Sequence, residues 1–97
     1  MGLPVRMQSD IASPDAAAGL RVLVVEDDYF LAETLHEELC ERGVDVVGPA
    51  GALEDAEALL EPATRIDAAV LDVNLGGVMT FALADRLLQD GVRVVFT

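Results

Sequence analysis

Ninety-seven residues allow one small domain. Hydrophobic residues make up 53% of the chain, enough for a packed core and too many for a disordered segment. Acidic residues outnumber basic ones 18 to 6, a formal charge of −12, which repels phosphate backbones and anionic lipid and argues against direct nucleic-acid or membrane binding by these residues. No apolar run approaches the roughly 18–20 residues that span a bilayer. The first ten residues lack the charged-then-apolar order of a signal peptide. Met1-Gly2 is followed by Arg6, where myristoylation needs Ser or Thr, so a cytoplasmic location is expected.

Residues 1–19 read as a flexible leader, with Pro4, Pro14 and an Ala-Ala-Ala-Gly run but no apolar period; Met7 is an alternative start. The domain proper is expected over 20–97. Arg21-Val22-Leu23-Val24-Val25 is a continuous apolar run rich in β-branched valine, the mark of a strand buried on both faces. After Glu26-Asp27-Asp28 the period changes: Leu31, Leu35 and Leu39 recur at helical spacing, with Glu33, Glu37, Glu38 and Glu41 on other faces and Gly43 at the stop. In that helix His36 is expected to be an exposed residue and Cys40 a small packing residue; one cysteine forms no internal disulfide.

Val44-Asp45-Val46-Val47 is a second strand, closed by Gly48-Pro49. Leu53, Ala56 and Leu60 mark a second helix that stops near Pro62. Ile66 to Leu71 is a third strand and Leu75-Gly76-Gly77 a loop. Phe81, Ala84 and Leu88 mark a third helix ending at Gly91, and Val92 to Thr97 a fourth strand. Strand–helix alternation with short connections predicts an α/β fold, a parallel sheet covered on both faces through right-handed crossovers.

In such sheets functional groups collect beyond the carboxyl ends of the strands. Two buried strands deliver acid there, the first ending in Glu26-Asp27-Asp28 and the third in Asp72. Taken alone, either acidic stretch is a helix cap or a solvated turn, and Asp28 suits a cap. Together, at equivalent strand ends, they place like charges that cannot all stay ionised unless pKa values rise or a cation neutralises them. Hard oxygen ligands of this kind suit Mg²⁺.

Val-Val-Glu-Asp-Asp ending the first strand, and Val-Leu-Asp-Val-Asn-Leu-Gly-Gly with its aspartate 45 residues after Asp27, resemble a two-component response-regulator receiver domain from Leu20 to Thr97. The resemblance implies a flavodoxin-like doubly wound sheet of strand order 2-1-3-4, with the fifth strand and last helices absent from this chain. It implies a phosphoacceptor module of a two-component or phosphorelay system, not an enzyme. Asp72 would receive a phosphoryl group from a phosphohistidine on a sensor histidine kinase or histidine phosphotransfer protein. Mg²⁺ would be held by Asp27 directly, by Glu26 through water, by Asp72 and by the backbone carbonyl of Asn74.

Three features depart from the family pattern. Gly76 stands where proline is common, which is expected to loosen the loop without touching the site. The fifth-strand lysine has no counterpart, since the sequence contains no lysine. The family's switch hydroxyl commonly lies five residues beyond the position of Arg93. Thr97 lies four beyond, so it is either that switch or its immediate predecessor. A haloacid-dehalogenase-like phosphatase also uses a strand-end aspartate with Mg²⁺, but it wants an acid where Asn74 stands. A receiver-like interaction module without phosphorylation is the other alternative. With a fourth strand left uncovered, self-association through its edge is expected.

Overall fold

The computed structural model describes residues 18–61 and 64–97. Most of the expected leader, and Pro62, lie outside the described residues. The elements are β1 (Arg21–Val25), α1 (Tyr29–Glu41), β2 (Asp45–Ala50), α2 (Leu53–Leu60), β3 (Ala68–Leu71), β4 (Asn74–Leu75), β5 (Val78–Met79), α3 (Phe81–Gln89) and β6 (Arg93–Phe96). The main sheet is parallel throughout, in the order β2-β1-β3-β6. With β6 as the fourth long strand, this is the expected 2-1-3-4 order and the flavodoxin-like, doubly wound fold.

Strand periodicity of two sends alternate residues of each strand to opposite faces. Leu23, Val25, Ala69 and Leu71 meet Ala56 of α2 and Leu83, Ala84 and Leu87 of α3. Val22, Val24, Ala68 and Val70 meet Leu35 and Leu39 of α1. Both faces of β1 and β3 are therefore buried, which is why Val22–Val25 and Ala68–Leu71 are apolar without interruption. Helix α1 stops as expected: Gly43 adopts φ +78°, and the Val44 N–H returns to the Leu39 carbonyl at 3.1 Å.

Four expectations are corrected. Gly48-Pro49 does not close β2; the strand runs on to Ala50 through an irregularity opposite Leu23–Val25. Gly48 takes φ +97°, and proline is tolerated because β2 is an edge strand. Residues 74–79 are not a plain loop but a hairpin of β4 and β5, turned on Gly76 and Gly77 at φ +58° and +93°.

In α3 the buried stripe is Leu83, Ala84 and Leu87, while Phe81 and Leu88 are 54% and 56% exposed. Two overlapping stripes share Ala84, and the one with two leucines faces the core. The Phe81 ring packs edge-on against Phe96 instead, at 5.9 Å. Cys40 is exposed rather than packed, because the buried face of α1 passes through Ala32, Leu35 and Leu39. Its Sγ lies 3.7 Å from Nε2 of His36, which is half-buried.

Candidate functional site

The carboxyl edge of the sheet is assembled by backbone pairing. Beyond β1, the Glu26 N–H donates to the Ala50 carbonyl at 2.9 Å, so the continuation of β2 past Pro49 fixes where Glu26 stands. Beyond β3, the Asp72 N–H donates to the Val25 carbonyl at 2.9 Å, which sets Asp72 beside Glu26. Carboxylate oxygens of Glu26, Asp27 and Asp72 all lie within 4.8 Å of one another. The side chains differ in exposure: Glu26 is buried, Asp72 half-buried and Asp27 exposed.

Asp28 takes no part in that group. Its Oδ1 accepts the Leu31 N–H at 3.1 Å as the N-cap of α1. Its own N–H donates to Glu26 Oε2 at 3.0 Å. Asn74 is tied into the site by its backbone: its N–H donates to Asp72 Oδ1 at 3.1 Å, while its side-chain Oδ1 accepts the Gly77 N–H at 2.7 Å. The N–H and carbonyl of a strand residue point to the same side, so the Asn74 carbonyl shares the side of its N–H. Thr97 donates its N–H to the Leu71 carbonyl at 2.8 Å, extending the ladder beyond β6 next to Asp72.

Two residues enter the site that the sequence reading did not place there. A side chain at Gly76 would begin 3.6 Å from Asp27 Oδ2, so this position does border the site, contrary to expectation. The hairpin folds back over the strand ends, which is what brings it there. Thr80, immediately before α3, is completely buried, and its hydroxyl donates to the Asp72 carbonyl at 2.7 Å. A threonine before a helix reads as an N-cap. Here it makes no side-chain cap bond, and nothing in the sequence announces the alternative.

Burial pushes the Glu26 carboxyl above its ordinary value of 4.5; the Asp28 N–H partly opposes this, while Asp72 and Asp27 add to it. A raised carboxyl pKa contributes stability that is fully present below the unfolded value and is lost as pH rises through the folded one. Without metal, Glu26's contribution therefore shrinks as pH climbs above about 4.5. Glu26→Gln keeps an acceptor for the Asp28 N–H and removes the charge. At pH 7 in chelator we expect this variant to melt above the parent, and to bind divalent cations more weakly. A lower melting temperature would show that the Glu26 charge is already compensated within the protein.

The chain is similar to the non-phosphorylated receiver domain of HemR from Leptospira biflexa, with a TM-score of 0.70 and 34% identity over 79% of this chain and 62% of that one. It is similar in fold to the response regulator PhyR from Brucella abortus, TM-score 0.74 and 22% identity over 94% and 37% of the two chains. A third likeness is to the MaeR response regulator bound to beryllium trifluoride, TM-score 0.68 and 23% identity over 80% and 66%. The chain thus spans between 37% and 66% of the length of these three. No protein-family model matches the sequence, and neither does any curated protein. No helix among the described residues is long and apolar enough to cross a membrane. The fold is that of a response-regulator receiver domain.

Proposed function

We propose that this chain, a receiver-domain fold with three carboxylates at the carboxyl edge of its sheet, accepts a phosphoryl group on Asp72 in a two-component system or phosphorelay. The observation that carries the reading is the approach of Glu26, Asp27 and Asp72 to within 4.8 Å. Acids crowded so closely on rigid strand ends are costly as a structural feature and useful as a hard-cation site.

The donor set fits Mg²⁺: Asp27 would be a direct ligand, Glu26 would act through water, and Asp72 and the Asn74 carbonyl would supply the other protein oxygens. When bound, Mg²⁺ supplies positive charge that shields the carboxylate nucleophile from an incoming phosphoryl anion. The protein's own residues do the positioning. Asp72 presents a carboxylate oxygen to the phosphorus of a partner's phosphohistidine. An O–P bond forms, the N–P bond breaks with its electron pair kept on nitrogen, and the imidazole, already protonated on its other ring nitrogen, leaves as the neutral base. The Asn74 N–H holds Asp72 Oδ1, so the carboxylate is oriented before the phosphoryl group arrives. The partner is a sensor histidine kinase or a histidine phosphotransfer protein. The setting is cytoplasmic, and the module is a signalling acceptor rather than an enzyme.

Incubation with a small phosphodonor separates this reading from its competitors. Stoichiometric phosphorylation of Asp72 supports the acceptor. Steady phosphate release without a retained group marks a phosphatase, and no reaction marks an interaction module. These 97 residues contain no lysine to grip the phosphoryl group, so labelling is expected to be slow.

Self-association is the second part of the proposal. Arg93 and Thr97 turn their N–H groups towards β3, bonding the carbonyls of Asp67 at 3.2 Å and Leu71 at 2.8 Å. Val94 and Phe96 therefore direct their backbone groups to the opposite side, where β6 is the sheet edge. Phe96 is 40% exposed there, beside Phe81. Such an edge is a template for a second copy of itself. Sedimentation of the 97-residue protein at micromolar concentration should give a dimer or larger species, more abundant at high salt, which screens the −12 charge. A compact monomer under those conditions contradicts this.

A further inference from the structure

We infer that Thr80 is a positioning residue for the acceptor aspartate, an inference that rests on the phosphoacceptor reading above. The hydroxyl of Thr80 donates to the Asp72 carbonyl at 2.7 Å and lies 3.3 Å from the Val73 carbonyl, while the Thr80 N–H donates to the Val73 carbonyl at 3.1 Å. Two donors of one residue thus hold two successive carbonyls at the end of β3. Thr80 also stands at the N-terminus of α3, its carbonyl accepting the Ala84 N–H at 3.0 Å. That helix is fixed to the core by Leu83, Ala84 and Leu87.

The loop from Asp72 to Thr80 is consequently closed onto a rigid element. The choice of partner is informative. At the first position before a helix, a threonine hydroxyl ordinarily accepts an N–H from the first turn. Here the hydroxyl is spent instead on the backbone of the residue whose side chain does the chemistry. Turning residue 72 as a whole about the chain axis would swing its carboxylate relative to Glu26 and Asp27 and disperse the three-acid group. With the Asp72 carbonyl held by Thr80 and the Asp72 N–H held by Val25, that rotation is blocked from both ends.

The test removes the hydroxyl while keeping shape. Thr80→Val is expected to melt cooperatively yet to lose about 10- to 100-fold in Mg²⁺ affinity by calorimetry and in the rate of Asp72 labelling by acetyl phosphate, the range typical of supporting groups around a metal site. Thr80→Ser, which keeps the donor, should stay within about threefold of the parent on both readouts, well inside that range. A folded Thr80→Val with parental Mg²⁺ affinity and labelling overturns the inference. So does a Thr80→Ser as impaired as Thr80→Val, which would make the methyl group the cause.

Where Thr80→Val fails to fold, Thr80→Cys set against Thr80→Ser makes the same comparison, since the two side chains share a shape and differ in donor strength. Equal Mg²⁺ affinity and labelling in that pair overturn the inference, and a loss confined to Cys supports it. A parent protein that binds Mg²⁺ but takes no phosphoryl group at Asp72 overturns the acceptor reading. Mg²⁺ affinity in the Thr80 variants then still decides the positioning role.

Discussion

Asp72→Asn is expected to abolish labelling by acetyl phosphate while leaving the fold intact. Among the predictions this effect is the largest, because the substitution removes the nucleophile and nothing else of comparable size. Asparagine matches aspartate in shape, its side-chain oxygen can still accept the Asn74 N–H, and the backbone bonds of residue 72 to Val25 and Thr80 do not involve the side chain. Removing one of three crowded charges should also relieve repulsion within the Glu26–Asp27–Asp72 group. The metal-free variant is therefore expected to melt no lower than the parent. Intact-mass measurement after incubation with acetyl phosphate and Mg²⁺ checks the labelling, and a scanning melt checks the fold. A variant that still takes up one phosphoryl group would place the acceptor elsewhere.

Asp27→Ala comes next in size, with Mg²⁺ affinity expected to fall by about tenfold or more. Asp27 is the most exposed of the three acids and so the one that meets a hydrated cation with least desolvation. Its neighbour provides the control. Asp28 caps α1 through the Leu31 N–H, and Asp28→Ala should cost about 1 kcal/mol of stability with little change in Mg²⁺ affinity. The two adjacent aspartates thus separate into a binding residue and a cap, distinguishable by calorimetry and thermal melting on the same pair of proteins. Equal losses of Mg²⁺ affinity in both would show that the division between them is wrong.

The main sheet and its acidic edge were legible because each rests on a strong local pattern. Val22–Val25 and Ala68–Leu71 are apolar without interruption, and only strands covered on both faces carry such runs economically. Glu26, Asp27 and Asp72 followed from them, as the first polar residues after buried strands point to the same edge. The remainder depends on competition between nearly equal local choices. Gly48-Pro49 ordinarily ends a strand, and here it bends one, because β2 is an edge where a missing N–H costs little. Phe81–Ala84–Leu88 and Leu83–Ala84–Leu87 are both apolar stripes of one helix. Packing against Leu23, Ala69 and Leu71 chose the second. Gly76-Gly77 does carry the signature of a two-residue hairpin, and the short flanking strands concealed it. Thr80 was hidden for a different reason, since the partner of its hydroxyl is a backbone carbonyl eight residues earlier, set by tertiary structure alone.

The phosphoacceptor role is decided by where a phosphoryl group is found. The measurement is peptide mapping of the parent protein after incubation with acetyl phosphate and Mg²⁺, quenched before the acyl phosphate hydrolyses. A single modified site, on the peptide that contains Asp72 and dependent on Mg²⁺, is the predicted result. A phosphoryl group on any other residue, or rapid turnover of acetyl phosphate with none retained on Asp72, would contradict it.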